Sequence, residues 1–204
     1  MRKGFTLIEL LIVIAILAIL ATVVVLVLNP TQLLAESRDS QRLSDMQTLN
    51  AALSLYGATA STVDLDGSGS GDCPTDCFVY ESTGVAANCG GRHDAARATT
   101  EIQTTDAQKR DIDGDGWIPV NLGNASGGSP LSVLPVDPVN NTTGCSGSAG
   151  CFYSYACSNT ATTWEVNANL ESTRYTSGTD NKEDADGGNV ATIYEIGNDP
   201  ILDL

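Results

Sequence analysis

Carboxylates at every second position form the clearest metal-binding pattern in this sequence. Residues 111–116 read DIDGDG, so Asp111, Asp113 and Asp115 are followed by glycine in sixth place. This spacing makes up the first half of an EF-hand calcium loop. Leu122 stands where a full loop would have its bidentate glutamate. The segment therefore predicts a calcium site built on half of the motif, and the alternative is an acidic turn that faces solvent.

A second segment repeats this pattern more loosely. Residues 64–69 read DLDGSG, with Asp64 and Asp66 at the first and third positions. Thr75 occupies the place of the final glutamate, so this copy has the same defect. It is a weaker calcium candidate, for which a solvated turn is the better explanation.

Catalytic side chains are not indicated. The one histidine, His93, stands next to Asp94 outside any recognised motif. The serine- and glycine-rich residues 144–150 contain no Gly-x-Ser-x-Gly nucleophile elbow. A triad that rests on one histidine without a motif is weak support for catalysis. The sequence therefore predicts that the protein is not an enzyme.

Glu9 is a carboxylate inside an apolar run. Residues 7–28 contain only Glu9 and Thr22 as polar residues, and as a helix they would extend about 33 Å, enough to cross a bilayer. A carboxylate there costs about 2.5–3.5 kcal/mol, so it needs a partner or a function. Arg2 and Lys3 precede the run, and their positive charge predicts an N-terminus on the cytoplasmic side.

The start of the chain resembles the type III signal of type IV pilins and type II secretion pseudopilins. Residues 3–11 read KGFTLIELL and lead into the apolar run. The resemblance implies that a prepilin peptidase cleaves after Gly4 and methylates the new N-terminal residue, Phe5. It also implies that Glu9 meets the N-terminal amine of a neighbouring subunit during filament assembly. An ordinary secretory signal would have a shorter core and a small-residue cleavage site, which Ala18 and Ala21 imitate poorly.

The element that carries Glu9 is predicted to be one long helix over residues 5–56. Residues 1–4 are the leader, residues 5–28 the transmembrane and assembly half, and residues 29–56 an amphipathic half. Asn29 and Pro30 predict a kink between the halves, and Gly57 a stop. The amphipathic half is predicted to pack through apolar residues three or four apart, namely Leu43, Met46, Leu49, Leu53 and Tyr56. Its opposite side is predicted to be a solvated face with weak ion pairs, formed by Asp39, Arg42 and Asp45.

Residues 57–204 are predicted to form a small, loop-rich secreted domain. Its six cysteines would lie beyond the membrane, where an even number of thiols favours disulfides over zinc. Six cysteines allow fifteen pairings. Clustering suggests one group within residues 73–89 and another within 145–157. The disulfide candidates are Cys73, Cys77, Cys89, Cys145, Cys151 and Cys157.

The charge of the chain outside the membrane segment disfavours nucleic acid as a partner. The chain has 25 acidic and 10 basic residues, and without Arg2, Lys3 and Glu9 the balance is 24 against 8. Phosphate contacts require a basic face. Direct binding of nucleic acid is therefore not expected.

Strands are predicted at residues 117–122, 151–157 and 164–170. The last of them is predicted to have one buried and one exposed face, and a hairpin turn is predicted over residues 158–163. Residues 57–115 are expected to be mostly loop, apart from a short element at 78–80. Residues 117–120, 134–140 and 153–157 also resemble the C-terminal region of the major pseudopilins. This second resemblance implies an α+β pilin fold in which an antiparallel sheet of three or four strands packs on the long helix.

A third acidic loop follows the last predicted strand. It contains Asp180, Glu183, Asp184 and Asp186. The resemblance implies a calcium site at this place, held by Asp180, Asp184 and Asp186, whereas the motif favours Asp111, Asp113 and Asp115. Calcium is the only cofactor expected.

The function implied is that of a structural subunit of a type IV pilus-like or type II secretion filament. The expected partners are further copies of the chain, other pilins, the prepilin peptidase and an inner-membrane assembly platform. Before assembly the chain would cross the cytoplasmic membrane once, and afterwards it would lie in an extracellular or periplasmic filament. The alternative is a minor pilin, a tip adhesin or a DNA-uptake pilus subunit that binds a ligand through its loops.

Overall fold

The computed structural model describes residues 4–68, 73, 76–82, 87–93, 100–140, 145, 150–158, 160, 162–199 and 204. Arg2, Lys3 and most of the predicted leader, together with Thr75 and Asp94, lie outside the described residues. The chain begins with two helices, α1 (Leu7–Leu28) and α2 (Pro30–Thr59), which together are called the stem. The remainder, residues 60–204, is called the head.

The predicted break between the two halves of the stem is present. Asn29 separates the helices in a left-handed conformation, with φ of 39° and ψ of 74°. Pro30 opens α2, because its missing N–H is not needed in a first helical turn. The predicted stop at Gly57 is wrong, since α2 continues to Thr59. A Cβ at Gly57 would lie 3.3 Å from the Trp164 ring, so this glycine allows the helix to pack closely on the sheet.

The head contains a five-stranded mixed sheet. Its strands are β1 (Asp76–Val79), β2 (Thr100–Gln103), β3 (Tyr153–Ser158), β4 (Thr163–Ala168) and β5 (Tyr194–Gly197), and the order across the sheet is β2-β1-β3-β4-β5. The strand β1 pairs with β2 in parallel, and the other pairs are antiparallel. Ser158 lies opposite Thr163, as expected for the predicted hairpin. The α+β prediction is confirmed.

Three details of the predicted sheet are wrong. The sheet has five strands and one parallel pair: β1 overlaps the short element predicted at 78–80, whereas β2 forms where loop was expected. Both have only four residues, too few to show a clear alternation. Residues 117–122 form no strand, and their region contributes only an isolated bridge between Asp113 and Asn121. Pro119 lacks the N–H that a strand ladder needs.

The core lies between α2 and the sheet. Met46, Leu49, Leu53 and Tyr56 are buried there, as the helical spacing predicted. The prediction of a half-buried strand is wrong for β4, because Glu165 and Asn167 on its other face are buried as well. That face is covered by residues 92–93, where the Arg92 carbonyl accepts a hydrogen bond from the Asn167 side chain at 2.8 Å.

All six cysteines are paired, which confirms the predicted disulfide framework. Two bonds, Cys77 to Cys89 and Cys145 to Cys151, lie within the two groups suggested by clustering. The third bond joins Cys73 to Cys157 across 84 residues and connects the groups. The expectation of two separate groups is therefore wrong. This long bond ties the loop after α2 to β3.

Candidate functional site

Glu9 is held at the start of α1 by Thr6. The Thr6 backbone N–H and hydroxyl donate to Glu9 Oε2 at 2.8 and 2.7 Å, and the Glu9 N–H donates to the Thr6 hydroxyl at 3.3 Å. This reciprocal arrangement is a capping box, which satisfies N–H groups that a helix start leaves unpaired. Among the described residues, the Glu9 carboxylate accepts its hydrogen bonds through Oε2. The other carboxylate oxygen is available to a second donor.

The surface around Glu9 is apolar and uncovered. Gly4 and Phe5 are exposed, with 87% of Phe5 accessible, and every α1 side chain that the structure describes is exposed. The helix is long and apolar enough to cross a membrane. An apolar surface of this size requires a lipid or protein environment, because soluble monomers rarely expose such large patches.

A comparison with protein families decides what this N-terminal segment is. Residues 1–25 match a family model described as the prokaryotic N-terminal methylation motif. This is the signal of type IV pilins and pseudopilins. Searches of the curated proteins and of the solved structures gave no match. The pilin-type signal extends to Val25, near the end of α1. It marks a class of structural proteins that are not enzymes.

The stem is joined to the head by a buried ion-pair cluster around Arg42. Its guanidinium donates from Nε and Nη2 to the two oxygens of Asp137 at 2.7 and 3.0 Å, and from Nη1 to Asp39 at 2.8 Å. Glu171 lies 2.6 Å from the same Nη1. The Asp39 carboxylate also accepts the backbone N–H groups of Glu171 and Ser172. This set of five residues is called the stem–head cluster.

The prediction of a solvated face with weak ion pairs is wrong for Asp39 and Arg42. Both side chains are completely buried. Burial alone would lower the pKa of Arg42, but the carboxylates of Asp137 and Glu171 raise it above its ordinary value. Asp45, the third member of the predicted face, is half-buried and accepts the Tyr153 hydroxyl at 2.9 Å.

The two acidic loops with calcium-loop spacing lie on one groove. The groove measures about 280 Å³ and is lined by Asp64 and Gly67 from one loop and by Asp113 and Asp115 from the other. A Cβ at Gly67 would lie 2.7 Å from the Pro119 carbonyl oxygen, so glycine permits their close approach. Asp111 does not line this groove. Asn121 and Asn124 add amide groups, and carboxylate and amide oxygens are donors that calcium accepts.

The third acidic loop fits a cation less well. Asp180 lies 2.6 Å from Lys182 and 3.6 Å from Arg174, so its charge is already paired. Asp186 accepts the backbone N–H groups of Gly188 and Glu195 at 2.9 and 2.8 Å. Asp184 is exposed. The calcium site at either loop stays a prediction, and the donor chemistry favours the groove that contains Asp113 and Asp115.

In the described part of the chain, one group brings three metal-type ligand atoms close together. It consists of Cys145, Cys151 and Glu171. The two sulfur atoms form a disulfide, and Glu171 belongs to the stem–head cluster. A disulfide provides no thiolate ligand. This group is therefore better explained as packing of a disulfide against the cluster.

His93 is part of a buried polar cluster behind the sheet. Its Nε2 lies 3.0 Å from the Ser154 hydroxyl, and its Nδ1 lies 3.4 Å from Glu165. Asn167 donates to Glu165 at 2.7 Å. Serine, histidine and glutamate stand in the order of a catalytic triad. All three are nearly or fully buried, so the contacts serve to satisfy polar groups inside the head.

Proposed function

We propose that this chain is a structural subunit of a type IV pilus-like or type II secretion filament, cleaved after Gly4 and N-methylated on Phe5. The observation that carries the proposal is the pilin-type signal over residues 1–25, placed on an apolar helix with no covering partner among the described residues. Before assembly, α1 anchors the subunit in the cytoplasmic membrane, with the N-terminus inside. After assembly, α1 of one copy packs against α1 of others in the filament core.

In this proposal, Glu9 fixes how neighbouring subunits align along the filament. The capping box engages Oε2 and leaves the second carboxylate oxygen for the Phe5 amine that cleavage creates in a neighbouring copy. An unpaired carboxylate in an apolar core would be costly, so a correctly placed amine favours one arrangement over others. The further partners are the prepilin peptidase, an inner-membrane assembly platform and other pilins.

The rival within the same family is a minor pilin, such as a tip adhesin or a DNA-uptake subunit. The surplus of acidic over basic residues disfavours direct contact with DNA. Immunogold labelling of filaments from the native host separates a major subunit from a tip protein. A major subunit predicts label along the whole length, and label confined to filament ends would support the tip protein instead.

A further inference from the structure

Four segments of the chain have the spacing Asn-x-Ser/Thr, which is the acceptor pattern for N-linked glycans. They begin at Asn29, Asn124, Asn140 and Asn141. Asn29 is excluded, because Pro30 occupies the middle position and the pattern does not allow proline there. Three candidates remain, and all of them lie in the head.

Asn140 is poorly placed to carry a glycan in the folded head. Only 8% of the residue is exposed. Its N–H donates to Asp137 at 3.0 Å, and its carbonyl oxygen accepts the Ser82 hydroxyl. A bulky, hydrophilic glycan requires a surface position. Asn141 lies outside the described residues, so Asn124 is the candidate whose surroundings can be assessed.

Asn124 has the surroundings that such a modification requires. It is exposed, and in the described part of the chain its side-chain amide has no hydrogen-bond partner. Its backbone N–H donates to the Asn121 carbonyl at 3.1 Å, which holds the residue at the end of a short 3₁₀ helix, Leu122–Asn124. The amide nitrogen can therefore react without the loss of a contact that supports the fold.

Ser126, the third residue of the pattern, is exposed as well. Residues 125–128 form a turn in which the Gly128 N–H donates to the Ala125 carbonyl at 2.9 Å. Gly127 and Gly128 have φ of 98° and 89°, and a Cβ at either position would meet nothing within 4 Å. The asparagine and the serine thus lie in an open loop, where a transferase can approach both side chains.

This loop lies beside the end of α2 that is remote from α1. The Ser126 N–H donates to the Thr59 hydroxyl at 3.2 Å, and Thr59 is the last residue of α2. The helix has 30 residues, so its two ends are about 45 Å apart. A glycan at this position would be well separated from the junction with α1, and it would not obstruct the packing of α1 in the proposed filament.

We propose that Asn124 is an N-glycosylation site whose donor is a sugar linked through phosphate to a membrane lipid. Nδ2 of Asn124 forms a bond to the anomeric carbon of the sugar, and the bond from this carbon to the phosphate oxygen breaks. The lipid phosphate leaves with the electron pair of that bond, and the amide nitrogen releases one proton. The amide oxygen that Asn124 contributes to the groove of the two acidic loops is not consumed. The proposal rests on the proposed function only in requiring that the head is exported across the cytoplasmic membrane.

Peptide mass spectrometry of the protein from its native host tests the proposal. An endoproteinase that cleaves before aspartate releases residues 115–136 as one peptide, which contains Asn124 and none of the other candidates. We expect this peptide to carry the mass of a glycan, with fragmentation placing the glycan on Asn124. Ser126→Ala should remove the glycan, whereas Ser126→Thr, which keeps the hydroxyl, should retain it. Asn189→Gln changes an exposed asparagine outside the pattern and should also retain it.

The outcomes separate this site from the proposed function. An unmodified peptide 115–136 from a chain that begins at N-methylated Phe5 would overturn the glycosylation site and leave the filament subunit intact. A sugar on a serine of this peptide, or on Asn140 or Asn141 alone, would overturn the site as well. A glycosylated Asn124 in a chain that begins near Asn29 would support the site and contradict the filament subunit.

Discussion

Arg42 on α2 and Asp137 in the head form a two-point ion pair in which both side chains are completely buried. The residues are 95 positions apart, so the pair fixes the stem to a distant loop. Asp137 also accepts the backbone N–H groups of Val139 and Asn140 at 2.8 and 3.0 Å. The guanidinium thus orders both the helix and the loop. A filament subunit needs such a rigid joint if force or register is to pass from stem to head.

Removing Arg42 should therefore destabilise the head strongly. Arg42→Ala leaves Asp39 and Asp137 buried without their partner, which costs about 3–5 kcal/mol. The free energy of unfolding can be measured in detergent by denaturant titration, with fluorescence from the buried Trp117 and Trp164 as the readout. The control is Lys109→Ala, which breaks an ion pair with the exposed Asp106 and should change the free energy of unfolding far less. Equal losses for the two variants would contradict the role assigned to the cluster.

Substitution of Glu9 should separate folding from assembly. Glu9→Leu removes the capping box and the proposed partner of the neighbouring amine, but Glu9 lies outside the head core. We expect an unchanged melting temperature of the head and a loss of sheared filaments. Thr6→Val removes the capping hydroxyl and keeps the carboxylate, so it should weaken the helix start by about 0.5–2 kcal/mol while filaments still form. Normal filaments from Glu9→Leu would disprove the pairing.

The head should be more stable at pH 5 than at pH 8. Burial, and then the neighbouring Glu165 carboxylate, raises the pKa of Glu195 to about 8. In the unfolded chain this carboxyl has an ordinary pKa near 4.3. The folded state therefore binds more protons between these values, and stability falls as the pH rises through them. The melting temperature of the detergent-solubilised chain, measured in chelator, should decrease over this range.

Glu195→Gln should reduce this pH dependence, because the amide resembles the protonated carboxyl. Burial also raises the pKa of Glu183 to about 7, so part of the slope should remain. Asp184→Asn alters an exposed carboxyl of the third acidic loop and should leave the slope unchanged. A melting temperature that rises from pH 5 to pH 8 in the wild-type chain would contradict the assignment to Glu195.

Calcium should stabilise the chelated protein if either predicted site binds it. At a calcium concentration about 100 times the dissociation constant, the gain is roughly 2.7 kcal/mol. Asp113→Asn should abolish the shift in melting temperature, because Asp113 lines the groove shared by two acidic loops. Asp184→Asn should preserve it. The opposite pattern would place the site in the third acidic loop, and no shift in the wild-type chain would rule against calcium.

More of the stem is predictable from the sequence than its apolar spacing alone. Asp39 and Arg42 precede Met46, Leu49 and Leu53 at alternating spacings of three and four, so they belong to the buried face of α2. Charged side chains usually face solvent, but the helical period places these two on the buried face of the helix. Similarly, Thr6 and Glu9 fit the Ser/Thr-x-x-Glu capping signature. The buried position of Asp39 and Arg42 and the capping box at the start of α1 can both be predicted from residue spacing alone.

The head was less predictable, because its structure depends on contacts between distant segments. The strands β1 and β2 have four residues each, and their parallel pairing joins segments that no local pattern links. The bond between Cys73 and Cys157 spans 84 residues, a separation that clustering along the chain cannot suggest. The meeting of the Asp64 and Asp113 loops likewise depends on the position of Gly67 beside Pro119. Local patterns identify such residues but not which of them meet.

The most direct test of the central claim is the intact mass and N-terminal sequence of the protein recovered from its native host. A chain that begins at N-methylated Phe5 and retains α1 is the predicted result, and the mass gained on reduction should correspond to three disulfides. A chain that begins near Asn29 would show that the apolar segment is a discarded export signal. That result would contradict the filament subunit and leave residues 29–204 as an acidic secreted domain.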